Sequence, residues 1–422
     1  MTLIRNISRA FRHKNYRYYF FWQFLSFVGT WMQGTAQSWL VYRLTESAFF
    51  LGAVSFAGAI PAIFLAPIAG VAADHFKRKN ILLITQTMCL VHGIVITVLY
   101  FTHVINEWHI FFLAIFLGIA NSFDMTARQS LIPLLISKED LTNAIALNSS
   151  MFNGARMIGP AVAGFLIAGF GEGLCFLLNV FSYVPIITFL LLAKINEQII
   201  KKSSSAIKHL KEGLLFAWEN KPLRTLLMMV GAFSFWGVSF TSLMPIFSDQ
   251  VLHSGARGLG ILSGLSGLGA VSGAIFLASR KHVIGIKKII AACALTGSIS
   301  LLIFAISKSF VLSGILLLIS GFNFIVIFAG SNTLLQALTP DNLRGRVISL
   351  FSTMLMGMYP LGSLVIGYLA QKMGVSFAVM IGAVICFITG IYFSYKVPSL
   401  TKDAKELLKV QSEAGPSVQI RL

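Results

Sequence analysis

Charge is what this chain of 422 residues has least of. Only 11% of it is charged, where a soluble domain carries about 25%. With 56% hydrophobic residues and a mean hydropathy of +0.80, a soluble fold is excluded. Acids are the scarcer sign, 15 against 33 Lys and Arg. Cysteine is scarce too. Cys89, Cys175, Cys293 and Cys386 lie singly in apolar runs, with no CxxC pair and no histidine at ligand spacing. They read as small core residues, neither metal ligands nor a disulfide framework. No phosphate loop of the GxxxxGK[ST] type occurs, which argues against direct use of ATP. No Ser-His-Asp set and no two carboxylates at one depth occur either, so no enzyme and no cofactor are expected. Among eight histidines only His92 sits well inside an apolar run; it reads as packed core, with a proton relay as the alternative.

Long hydrophobic runs are what the chain has instead. About 20 apolar residues cross the ~30 Å of hydrocarbon in a bilayer, and twelve such runs occur, at 18–41, 48–70, 80–101, 109–131, 144–169, 173–194, 223–247, 257–279, 287–307, 310–337, 346–370 and 374–395. An even count puts both ends on one side. With the ends in the cytoplasm, 28 of the 33 basic residues fall inside, Arg43, Arg257, Lys308 and Lys372 fall outside, and Arg156 is left within a span. That asymmetry sets the orientation, and it makes the net charge of +18 a sign of topology rather than of nucleic-acid binding. The basic arm, Arg5 to Arg17, runs into the first span without a small-residue cleavage pattern, so that span is expected to be retained.

The expected organisation is a cytoplasmic arm at 1–17, a six-helix bundle at 18–194, a cytoplasmic linker at 195–222, a second six-helix bundle at 223–395 and a cytoplasmic tail at 396–422. In the linker, Ile207, Leu210, Leu214 and Trp218 recur at helical spacing, which predicts an amphipathic helix on the inner leaflet. The halves look like a weak repeat displaced by about 200 residues. Lys138 to Leu147 is answered by Pro340 to Leu350, and the small-residue helices opening near Ser47 and Gly255 each end in a basic cluster. Six-plus-six repeats of this kind build secondary transporters with a midplane site.

Four stretches could carry chemistry. Gly70 to Lys79 sets Asp74 and the bases Lys77, Arg78 and Lys79 between two apolar runs, the pattern of a tight cytoplasmic loop. Asn121, Asp124 and Arg128 share one face at the end of the fourth span. Asp124 lies about 22 Å down a 30 Å slab, within reach of the preceding loop; a gate residue and a proton carrier are both open readings. Arg156 stands near the bilayer centre, where an arginine costs at least ~2.5–3.5 kcal/mol unless it meets a cavity or a partner. Ser149, Asn153, Arg156 and Pro160 form one stripe, while Ala155, Gly159 and Ala163 form a small-residue stripe suited to close packing, as is Gly164. Ser26, Thr30, Gln33 and Gln37 mirror this in the first span, Ser234, Thr241 and Ser248 in the seventh, and Asn323 stands inside the tenth. Such stripes are expected to line a central cavity for a sizeable, partly apolar solute with anionic or acceptor groups. The alternative for Arg156 is a helix-to-carbonyl tie.

Over about 17–395 the chain resembles the major facilitator superfamily. Its loop between spans two and three matches at Gly70, Ala73, Asp74, Arg78 and Lys79, and departs at Ala72, His75 and Lys77. The resemblance implies a twelve-helix, all-α membrane fold in two pseudo-repeats. It also implies that Asp74 packs at the start of the eleventh span, near Arg344 and Gly345, where a carboxylate at a helix N-terminus gains about 0.3–1 kcal/mol. Asp74, Arg78, Asp124 and Arg128 would then form a latch made in one conformational state and broken in another. The superfamily's usual arginine inside the fourth span is missing. Gly29 to Tyr42, Phe123 to Ser130, Asn143 to Ser149 and the Gly159-Pro160 run are similar to the bacterial siderophore-exporter and macrolide-efflux branch. What that implies is a monomeric exporter in the bacterial inner membrane, in contact with membrane lipids. It would move a small organic molecule by alternating access against protons, with a siderophore or other metallophore preferred as cargo. Multidrug efflux, solute import and lipid handling are the alternatives.

Overall fold

The computed structural model describes residues 9–195, 197, 215–280 and 285–413, with backbone alone at 341, 342 and 399–413. Among the described residues all regular structure is helical. Six long helices come first: α1 (Lys14–Thr45), α2 (Ala48–His75), α3 (Arg78–Phe101), α4 (Glu107–Leu131), α5 (Leu141–Phe170) and α6 (Glu172–Leu192). Six follow: α7 within Lys221–Val251, α8 (Gly255–Ala278), α9 (Ile286–Ile306), α10 (Phe310–Leu338), α11 within Leu343–Met373 and α12 (Val375–Glu413). Eleven are long and apolar enough to cross a membrane. The twelfth, α1, has ample length at 32 residues and is made less apolar by Gln23, Gln33 and Gln37.

Local chemistry sets the ends. Ser47 accepts the Phe50 amide at the start of α2, and Asn106 forms a capping box with His109 at the start of α4. Gly171, at φ +80°, ends α5 in a conformation that a side chain would strain.

The chain divides into two compact units, Met1–Ser203 with Ser248–Gly264, and Ser204–Phe247 with Leu265–Leu422. In the first, α1 packs on α5 and α6, α3 on α4 and α6, and α2 on α4. The second repeats these partners six helices later: α7 packs on α11 and α12, and α9 on α10 and α12. α8 also crosses α10 closely, since a Cβ added at Gly273 would lie 2.6 Å from the Phe322 carbonyl. The weak sequence repeat is thus a strong repeat of packing partners.

Three boundaries differ from expectation. α2 continues to His75, so the loop before α3 shrinks to Phe76 and Lys77. α12 runs on to Glu413, well past 395. α7 is broken by π-turns at Phe233–Val238 and Phe247–Val251, and α11 by one at Thr353–Gly357. Wide turns free carbonyls, and here Ser234 Oγ donates to Leu355 O at 2.5 Å and Ser239 Oγ to Tyr359 O at 3.0 Å. Ser234 therefore ties α7 to α11 and does not line an open space. Most of the expected linker helix lies outside the described residues; at its end, residues 215–219 are helical and Arg224 lies over the Trp218 ring.

Candidate functional site

In the first unit α1 carries two faces of opposite character. Phe27 and Trp31 sit on its half-open side, where Phe152 of α5 meets both rings edge-on, at 5.3 and 5.8 Å between centroids. Arg156 places its guanidinium 5.7 Å from the Trp31 ring, a cation–π distance. Arg156 and Asn153 are half-buried and Ser149 is exposed, with the Asn153 amide bonded back to the Ser149 carbonyl. The α5 stripe thus opens on an aromatic, cationic face. α5 can approach α1 closely because Gly159 leaves room: a Cβ there would lie 2.9 Å from the Val28 carbonyl.

The α1 stripe corrects the sequence reading. Ser26 and Gln33 are buried inside the unit, at 1% and 2% exposure, and do not look into an open cavity. Gln33 bridges His92 Nδ1 at 3.1 Å and the Asn179 amide at 2.8 Å, and Thr30 shares a hydrogen bond with Tyr183 at 3.0 Å. These partners on α3 and α6 saturate groups that looked available in the sequence. Gln37, at the other end of the stripe, borders a cavity of about 190 Å³ that Ser38, Ser55 and Asn121 also line. In the second unit Asn323 is likewise turned inward, accepting from Thr296 Oγ1 at 2.9 Å, and Thr241 bonds the Val238 carbonyl of its own helix.

The expected latch is rearranged. Asp124 does not meet Arg78; it pairs with Arg128 one turn on and accepts from Thr85 Oγ1 at 3.0 Å and Gln86 Nε2 at 2.7 Å. Arg128 is buried, with its guanidinium 4.3 Å from the Phe27 ring. Asp74, carried outward by the last turn of α2, is exposed and forms no ion pair among the described residues. Gly70 and Gly345 have open space where a side chain would stand, so packing does not require glycine at either.

The carboxylate that does hold this end was missed. Glu197 accepts the Arg78 amide at 2.6 Å and the Lys79 amide at 3.0 Å, capping α3, while Lys79 Nζ donates to Ala193 O at 2.7 Å at the end of α6. A carboxylate at a helix start and an ammonium at a helix end both suit the helix dipoles. The only sequence signal was the first of three acids in a basic linker. Glu197→Ala is expected to cost about 1 kcal/mol, hence about fivefold faster hydrogen exchange at the Arg78 and Lys79 amides; unchanged exchange would show that the cap contributes nothing.

At the opposite end Glu172 takes Arg43 Nε at 3.0 Å and the Tyr100 hydroxyl at 2.9 Å. The Tyr42 hydroxyl donates to Asp249, in the second π-turn of α7, at 2.6 Å. Gly164 and Gly260 meet so closely that a Cβ on Gly164 would lie 2.7 Å from the Gly260 Cα, with Pro160 buried beside them.

Twelve helices in two matched sixes, with polar and charged residues turned into a membrane-spanning bundle, are the architecture of a transporter. A family model described as transmembrane secretion effector matches residues 8–421. The chain belongs to that family, within the major facilitator superfamily. It is 26% identical to the staphyloferrin A transporter of Staphylococcus aureus over 390 residues, covering 89% of this chain and 95% of that one. It is 23% identical to macrolide efflux protein A of Streptococcus pyogenes over 360 residues, covering 80% and 85%. The fold matches a crystal structure of the nucleoside transporter NupG with a TM-score of 0.72 at 16% identity, over 91% of this chain and all of that one. The family member described here is a multi-pass membrane transporter of small molecules, not an enzyme.

Proposed function

We propose that this protein is a secondary exporter of the bacterial inner membrane, with both chain ends cytoplasmic, and that it moves a metallophore of the siderophore type by alternating access in exchange for protons. The observation that carries this reading is Arg156 over Trp31, beside Phe27 and Phe152, halfway along α5. A guanidinium matches carboxylate-type oxygens bidentately, and flanking rings accept flat apolar surface. Together they suit a solute that is both anionic and partly apolar, and the siderophore-type reading draws on the staphyloferrin A transporter among its relatives. Outward direction is supported by the efflux protein among them.

The test is to profile small molecules in cells and culture fluid with and without the gene. Loss of the metallophore from the fluid, with retention in cells, is expected. A fluid that keeps its metallophore, from cells that become sensitive to lipophilic drugs, would reverse the order in favour of multidrug or macrolide efflux, which the aromatic face also suits.

In this scheme the Tyr42 to Asp249 bond and the Gly164 to Gly260 crossing brace the outer end of the first unit, and the Glu197 clasp steadies its inner end. Tyr42→Phe removes a hydrogen bond to a carboxylate. It is expected to speed labelling of a cysteine placed at exposed Gln250 in a cysteine-free background; unchanged labelling would mean that this bond does not hold that end.

A further inference from the structure

The interior of the first unit holds more polar groups than it pairs. Tyr19, Gln23, Ser26, Thr30, Gln33 and Gln37 follow one another at spacings of 4, 3, 4, 3 and 4, which keeps them on one face of α1. From first to last that face runs about 27 Å at 1.5 Å per residue, close to the thickness of the hydrocarbon slab. Eleven buried side-chain atoms lack a hydrogen-bond partner among the described residues, and six of them lie in this one interior. They are the Tyr19 hydroxyl, Gln23 Nε2, Gln86 Oε1, His92 Nε2 and two guanidinium nitrogens of Arg128. Their residues are 8% exposed or less, so bulk solvent does not satisfy them. Chance packing would scatter such atoms; polar groups buried on three facing helices are the setting in which proteins hold internal water.

The hydrogen-bond directions agree. Gln33 accepts the Asn179 amide through its oxygen, so its nitrogen donates to His92 Nδ1. That places the imidazole proton on Nε2, where it points at no protein acceptor. Phe27 lies over Arg128 on one side and against Phe152 on the other, and so separates this interior from the Arg156 face.

We propose that a file of internal waters threads the first unit from the cavity at Gln37 and Asn121 to the Asp124–Arg128 pair, and that the coupling proton travels along it, apart from the cargo. The proposal rests on the proton-exchange reading above. A proton entering at Gln37 passes between waters held by His92 Nε2, Gln23 and the Tyr19 hydroxyl, and binds a carboxylate oxygen of Asp124. It leaves from there to water at the Arg78 end; only O–H bonds form and break, one proton in and one out. The groups facing Asp124 and its partner are Thr85, Gln86 and Cys89 of α3, Arg128 of α4, Tyr19 of α1 and Tyr183 of α6.

Two measurements on the full chain in nanodiscs test this. Radiolytic hydroxyl-radical labelling, corrected for intrinsic reactivity, is expected to mark Tyr19 and His92 about tenfold faster than Tyr16, which is equally buried but bonded to the Ala144 carbonyl, and than Phe176. Gln23→Leu, with Gln23→Met as a second variant in case the first misfolds, should return Tyr19 to the Tyr16 rate by blocking the file. Infrared difference spectra across a pH step should show a protonated-carboxyl band that Asp124→Asn removes. Equal labelling of Tyr19 and Tyr16 overturns the file. A labelled interior without an Asp124 band overturns the proton path. If both signals appear yet export in proteoliposomes moves no protons, the exchange reading fails by itself and the hydrated path stands.

Discussion

Arg156→Leu is expected to lower export by about ten- to a hundredfold while leaving the amount of folded protein in the membrane unchanged. The size follows from the chemistry: a hydrogen bond between a charged pair contributes about 1.5–3 kcal/mol, and each 1.36 kcal/mol is a factor of ten. The fold survives because Arg156 is half-buried on the open side of α5, while the α1–α5 contact is made by Gly159 against Val28, Trp31 and Met32. Arg156→Lys keeps the charge but loses the planar fork that lies over Trp31, so it should fall between wild type and leucine. Trp31→Ala should weaken cargo binding more than it slows the saturated rate. The readout is release of the metallophore from loaded cells, normalised to membrane protein by immunoblot. Wild-type release by the leucine variant would remove the aromatic, cationic face from the transport path.

How legible the chain was depends on the distance over which each interaction acts. Twelve helices and the paired sixes could be read because a span is a local property, about 20 apolar residues in a row. The Ser149, Asn153 and Arg156 stripe could be read as one face because it is periodic within a single helix. The α1 stripe was misplaced for the converse reason. Gln33 is as polar as a cavity residue, but its partners His92 and Asn179 stand 59 and 146 residues away, and only the packing of α1 against α3 and α6 shows that its amide is already used. Asp124 and Arg128 were visible as an i, i+4 pair, yet nothing local distinguished a rim arginine from a buried one. The breaks in α7 were not visible either, because π-turns depend on acceptors in α11 that are over 100 residues away. Glu197 needed the end of α6 folded back beside the start of α3 before its role could be seen.

The largest loss of stability is expected from splitting the Asp124–Arg128 pair. Their side chains are 7% and 9% exposed, so removing one leaves the other charged and buried. Breaking such a pair costs about 3–5 kcal/mol, because the remaining ion keeps its desolvation penalty and loses its partner. Arg128→Leu strands a carboxylate that still has two neutral donors, Thr85 and Gln86, whereas Asp124→Leu strands a guanidinium whose remaining contact is the Phe27 ring. Asp124→Leu should therefore be the more damaging, seen as a lower melting temperature in detergent and a smaller folded fraction. The double variant Asp124→Leu with Arg128→Met removes both charges and should recover most of the loss, since apolar replacements of buried pairs are often neutral or stabilising. That recovered fold is the informative state: it should melt like wild type and yet be unable to export against a gradient, because Asp124, the buried acid proposed to take up the proton, is gone. If it exports normally, Asp124 is a structural counter-ion to Arg128 and the proposed coupling proton would need another acceptor, with Asp249 beside Tyr42 the next acid to replace.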